Sequence, residues 1–93
     1  MIRSFANKET AQIWAGLPCR RLPGDLQDRA LRKLRQLDAA VSVDDLRNPP
    51  GNRLQPLHGD RQGQLSIRIN DQWRICFSWR DGDAFDVEVV DYH

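Results

Sequence analysis

The sequence predicts an α+β fold of two layers, with two N-terminal helices packed on a curved antiparallel sheet. Two observations carry this. Leu26, Ala30, Leu34 and Leu37 recur at spacings of four, four and three, which is one face of a helix. Past Gly63 the period changes to two. Leu65, Ile67 and Ile69 alternate with polar residues, then Trp73, Ile75, Phe77 and Trp79, then Phe85, Val87 and Val89. A sheet with one apolar face must be covered, and the helices are the elements available to cover it.

The elements follow in order. Ile2–Phe5 alternates apolar and polar residues and reads as a short first strand. Asn7 is a suitable N-cap for a helix that draws apolar weight from Ile13, Trp14 and Leu17. A linker ends at Pro23-Gly24, and Asp25 is placed to cap a second helix running from Leu26 to about Ala39. Arg29, Arg32 and Lys33 fall on the back of that helix, as a solvated surface or as a basic stripe for nucleic acid. One further helical turn stops at Pro49-Pro50-Gly51. The stretch Arg53–Leu57 reads as another strand, held to an edge or a bulge because Pro56 cannot donate to a ladder. The short turns after Asn70 and Arg80 join the last strands into an antiparallel meander. On its far face that sheet presents Arg68, Arg74, Cys76, Ser78 and Arg80, and this face is expected to stand open to water.

The length of 93 residues suits one domain spanning 1–93. No apolar run reaches the ~18 residues that span a bilayer, and the first ten residues lack the apolar core of a signal peptide. Cys19 and Cys76 are far apart in sequence and outside any Cys/His cluster. Two reduced thiols in a cytoplasmic protein are therefore expected, with no zinc site and no disulfide framework. The net charge of +1 conceals a gradient: residues 20–80 hold twelve basic and seven acidic side chains (+5), whereas residues 81–93 hold five acids and no Lys or Arg (−5). Twelve of the fourteen basic residues are Arg, whose planar fork grips phosphate bidentately.

Few residues can carry chemistry. There are two histidines, His58 and His93, and one tyrosine, Tyr92. The chain ends in Asp91-Tyr92-His93, three side chains able to take part in proton transfer. No dinucleotide, P-loop, zinc-protease or serine-hydrolase motif is present, and neither a cofactor nor a metal is expected. Arg, His, Tyr and Asp without a metal suit RNA cleavage. There a base activates the 2′-hydroxyl, a cation stabilises the extra phosphate charge and an acid protonates the leaving 5′-oxygen. His58 and His93 fit the proton-transfer roles, and Arg74 fits the cationic one.

The whole chain resembles the RelE/ParE superfamily of bacterial toxins, and within it the HigB family, the plasmid maintenance killer proteins. The resemblance rests on the opening Met1–Phe5 and on the RKLRQLDAA run of the second helix. It rests further on the NRLQPLHGDRQGQLSIRINDQWRICFSW stretch and on the closing VEVVDYH. It implies a toxin of a type II toxin–antitoxin system that acts as a ribosome-dependent endoribonuclease on mRNA. The implied partners are the ribosome, mRNA and a helix-turn-helix antitoxin similar to HigA, through which the complex reaches its operator DNA. The family's catalytic positions fall on Arg74, Asp91, Tyr92 and His93, with His58 as a further candidate. Arg53, Arg61, Arg68 and Arg80 are the candidate RNA contacts. Three positions depart from the family pattern: Gln55 stands where a His is usual, His58 where a Lys is usual, and Asn70 where a second Arg is usual. The alternative is a toxin of the ParE kind, which inhibits DNA gyrase by binding alone, since one fold can host both activities.

Overall fold

The computed structural model describes residues 1–92. Two helices, α1 (Lys8–Trp14) and α2 (Gly24–Ala39), precede three short 3-10 turns and four strands. The strands are β1 (Gln55–Pro56), β2 (Leu65–Arg68), β3 (Trp73–Arg80) and β4 (Asp83–Asp91), antiparallel in the order β1-β2-β3-β4.

The periodicity of α2 sets the first layer. Leu26, Ala30, Leu34 and Leu37 are all buried and face Ile67, Ile69, Ile75, Phe77, Val87 and Val89 of the sheet in one apolar core. Asp25 does not cap this helix. Pro23 holds that place, in an extended conformation with no side-chain bond, and Asp25 lies in the first turn, where its charge meets the positive helix end. The linker before α2 is pinned by one side chain: Gln27 accepts from the Cys19 amide and donates to the carbonyls of Cys19 and Leu22.

Asn7 caps α1 as its sequence position predicts, its Oδ1 accepting from the Thr10 amide at 2.9 Å. Thr10 is itself buried, and its hydroxyl accepts the Val89 amide at 2.9 Å, which fastens α1 to β4. Leu17 is 55% exposed rather than part of the helix face, because α1 ends at Trp14 and Gly16 turns the chain away at φ +78°.

Two differences from the periodicity share one cause. The register of β3 with β4 shifts between Cys76 and Ser78, leaving Asp86 as an extra residue at φ +53°. Past this bulge the alternation inverts. Ala84 is buried opposite Trp79, and Phe85 pairs with Ser78 on the outer face instead of joining Val87 and Val89 in the core. The bulge also interrupts the N-terminal segment. Ile2–Phe5 forms no continuous strand but two parallel bridges to Ala84 and Val87, and Ser4 Oγ accepts the bulged Asp86 amide at 2.8 Å. The β3–β4 turn is the tight Asp-Gly type, with Asp81 at φ +51° and Gly82 at φ +83°.

The outer face is not open along its whole length. Arg74 and Cys76 are buried there, together with Ser66. Different segments flank the two: the Arg53 carbonyl and the Tyr92 ring lie against Arg74, and the segment after β1 brings Arg61 near Cys76. That segment folds back over the sheet, burying Leu57 outside the main core, and Arg61 reaches across to Glu88 of β4 at 2.9 Å. Among the described residues, no helix is long and apolar enough to cross a membrane.

Candidate active site

The antiparallel register places residues of different strands side by side. One row across the outer face runs Gln55, Ser66, Cys76, Glu88; the next runs Arg68, Arg74, Val90. Arg74 is thus delivered by the central strand β3.

Arg74 is only 8% exposed, yet it has no carboxylate partner among the described residues. Its Nε donates to Ser66 Oγ at 2.8 Å, and its Nη2 donates to the carbonyls of Arg53 at 2.6 Å and Ser66 at 3.4 Å. These acceptors are neutral. They fix the plane of the guanidinium without cancelling its charge. Among the described residues nothing accepts from Nη1, and no buried polar side-chain atom there lacks a partner, so Nη1 lies at the open side. Burial lowers the pKa of Arg74 below the ordinary arginine value, Tyr92 and Cys76 push the other way, and Arg68 and Arg53 add to the lowering. An arginine keeps its proton through such shifts. The result is a preoriented cation whose charge no carboxylate among the described residues neutralises, the arrangement that favours an arriving anion.

Tyr92 closes one side. Its ring centroid lies 5.9 Å from the Arg74 guanidinium, and its amide donates to the Gln72 carbonyl at 2.6 Å. Asp91 pairs across the ladder with Trp73, so alternation directs it to the other side of β4 from Tyr92. It accepts from Gln72 Nε2 at 3.1 Å. The Gln72 turn is in turn shaped by Asn70, whose Oδ1 accepts the amides of Gln72 and Trp73 at 2.9 and 2.8 Å. Asn70, the departure from the family Arg, is here a turn-forming residue that aligns both anchors of the tail. The Asn-Asp-Gln turn was legible as a turn in sequence, but not its link to Tyr92.

The other predicted residues are spread unevenly. Arg53 is exposed, has φ +45° and contributes its carbonyl rather than its side chain to Arg74. Arg61 bonds Gln64 and Glu88, and the Glu88 carboxylate raises its pKa. Arg68 sits directly across from Arg74 and pairs with the exposed Asp71. Arg80 lies at the far end of β3, its guanidinium 4.1 Å from the Phe85 ring centroid. Six residues of strand put it roughly 20 Å from Arg74. His58 is exposed at the start of the Gly59–Arg61 turn, with no side-chain hydrogen bond or ion pair to Arg74 or Tyr92. Gln55 is exposed on β1. His93 lies outside the described residues. Two positioning residues went unnoticed in the sequence: Ser66, whose only signal was a polar position in an alternating strand, and Glu88, which read as one more outward acid. Cys76 is free and buried, and burial raises its pKa; Cys19 is also free and buried.

Comparison with known proteins agrees with this architecture. Toxin HigB-1 of Vibrio cholerae is 48% identical over 65 residues, 70% of this chain and 68% of that protein. Endoribonuclease HigB of Proteus vulgaris is 34% identical over 93 residues, covering all of both chains. The YoeB–YefM complex of Staphylococcus aureus contains a chain of the same fold, with a TM-score of 0.62 at 13% identity, covering 100% of this chain and 98% of that one. Residues 3–93 match the model of the HigB-like toxins, described as RelE-like toxins of the type II toxin–antitoxin system HigB, and the chain belongs to that family.

Proposed function

We propose that this toxin is an endoribonuclease that cleaves mRNA on the ribosome without a metal ion, and that a helix-turn-helix antitoxin restrains it. One observation carries the reading: Arg74 is a buried cation held by neutral acceptors, with Nη1 uncommitted among the described residues and an aromatic ring alongside. The 2′-oxygen attacks the adjacent phosphorus, the bond to the 5′-oxygen breaks, and the charge gathered on the phosphate is met by Arg74. His93 and His58 are the groups assigned to remove the 2′-hydroxyl proton and to protonate the 5′-oxygen. Tyr92 stacks against a base or orients the phosphate. Asp91 holds the end of β4 through Gln72, and Arg53, Arg61 and Arg68 bind the flanking backbone. Arg80 contacts RNA only beyond the scissile site. The name of the full-length Proteus relative supports the reaction, and the YoeB–YefM complex supports an antitoxin partner.

The test is induction of the chain in cells without its antitoxin, with mRNA 5′ ends mapped on ribosomes and gyrase supercoiling assayed in parallel. Discrete 5′ ends on ribosome-bound mRNA are expected, and with purified chain and ribosomes they should persist when transition metals are removed while Mg²⁺ is kept for the ribosome. Growth arrest with intact mRNA and inhibited supercoiling would replace this reading with that of a gyrase-binding toxin.

A further inference from the structure

A second cationic site lies on the opposite layer. Arg29, Arg32, Lys33 and Gln36 of α2 line a cleft of about 270 Å³ together with Gly51, Arg68 and Ile69. Asp25 and Asp28 stand one helical turn before Arg29 and Arg32. Even so, among the described residues no carboxylate lies within ion-pair distance of Arg29, Arg32 or Lys33. Lys33 is steadied by the buried Asn52, whose Oδ1 accepts from its Nζ. Its pKa is lowered first by burial and then by Arg29, Arg68 and Arg32, so these cations are close enough to repel one another. A cluster of like charges in which, among the described residues, only Arg68 has a paired acid is costly, and an anion relieves it.

Arg68 belongs to both places. It lines the cleft, and it is the direct cross-strand neighbour of Arg74, whose own pKa it lowers. Asp71, almost fully exposed, is the acid paired with it. Gly51 adds no side chain on the cleft wall, and a Cβ built there meets nothing within 4 Å.

We propose that this cleft is a second phosphate-backbone site, and that one RNA strand runs from Arg74 over Arg68 into the pocket formed by Arg29, Arg32 and Lys33. The proposal rests on the endoribonuclease reading for the strand's identity, but the cleft would grip phosphates whether or not the chain cuts them. The strand is favoured over a separate duplex because Arg68 joins the two sites edge to edge.

The experiment measures binding of a single-stranded 2′-O-methyl octanucleotide to the full chain across a salt series. This probe lacks the free 2′-hydroxyl and cannot be cleaved, so failure of the nuclease reading does not affect it. The double variant Arg29→Gln/Arg32→Gln, altered only at exposed helix positions, is expected to bind about tenfold more weakly at low salt. Its salt slope should be shallower by about 1.4, as for the loss of two single-strand phosphate contacts. A control, Arg20→Gln/Arg35→Gln, removes the same charge from exposed positions that do not line the cleft, and should retain nearly full affinity. Circular dichroism confirms that each variant folds. Equal weakening by both variants would show diffuse attraction instead of a site. An RNA hairpin that binds more tightly than the strand, and loses more affinity in the variant, would overturn the single-strand assignment.

Discussion

Arg74 Nη2 donates to the carbonyl of Arg53 at 2.6 Å, and Arg53 holds that carbonyl in place from a left-handed backbone conformation at φ +45°. A non-glycine residue in this region carries strain, which the surrounding contacts must offset. Here the strained residue stands beside the one cation the proposed chemistry depends on. The Pro50–Asn52 turn that leads into Arg53 is anchored by the buried Asn52, so positioning of Arg74 reaches back to α2 through Gln36 and Lys33.

Truncating Arg74 therefore tests two things at once. Arg74→Ala would leave Ser66 Oγ and two carbonyls without their donor and should cost stability, about 1–3 kcal/mol. Arg74→Lys keeps a charge but loses the fork, and separates charge from geometry. We expect Arg74→Lys to fold with a small change in Tm and to lower the single-turnover cleavage rate by about 10²-fold, as for loss of one preorganised donor. Ser66→Ala should retain Arg74 but loosen it, with an intermediate rate. Full activity in Arg74→Lys would remove Arg74 from the chemistry.

At the tail, Tyr92→Phe should retain activity if the ring against Arg74 is what matters, and Tyr92→Ala should lower it by roughly tenfold, near the strength of a half-exposed cation–π contact. Deleting His93 should cut the rate by ~10²–10⁴ if it transfers a proton, with folding of the variant checked by circular dichroism. Rates measured on translating ribosomes decide both. Undiminished cleavage after the deletion would transfer the acid–base role to His58.

Asn52 is fully buried, and its Nδ2 serves Gln36 Oε1 and the carbonyls of Leu46 and Asn48, each at 3.2 Å. Asn52→Leu should destabilise by about 2–4 kcal/mol, through unpaired carbonyls and lost packing. Chemical denaturation should show a lower midpoint at nearly unchanged slope. The same variant should release Lys33 and weaken binding in the α2 cleft.

Acid should loosen the molecule through two surface carboxylates. Asp45 accepts the amides of Ser42 and Val41, and Asp83 pairs with Arg3 and the N-terminal amine; both have pKa values lowered from 3.8. A folded pKa below the unfolded one contributes stability that is fully present above the unfolded value and lost as pH falls through the folded one. The stabilisation should therefore be complete by neutral pH and decline from about pH 4 downward. Asp45→Asn and Asp83→Asn should each flatten the Tm-versus-pH curve in that acid range, leaving it unchanged in shape above pH 6. An unaltered acid limb in the double variant would rule these groups out as its source.

The α2 face, the Asn7 cap, the meander and its Asp-Gly turn were legible in sequence because each depends on local period, capping or turn chemistry. The family was legible because its motifs are strung along the chain. What only the tertiary structure decided depends on register and on segments that fold back. One extra residue at Asp86 inverted the alternation and moved Phe85 from the core to the outer face, and period-two counting carries no trace of such an insertion. Arg74 and Cys76 are buried on a face whose pattern read as open, flanked by the Arg53 carbonyl and Tyr92 at Arg74 and by Arg61 near Cys76, because a polar alternation does not say what folds over it. Arg68 became the neighbour of both Arg74 and the α2 cations, because antiparallel pairing and layer packing bring together residues that the sequence keeps apart.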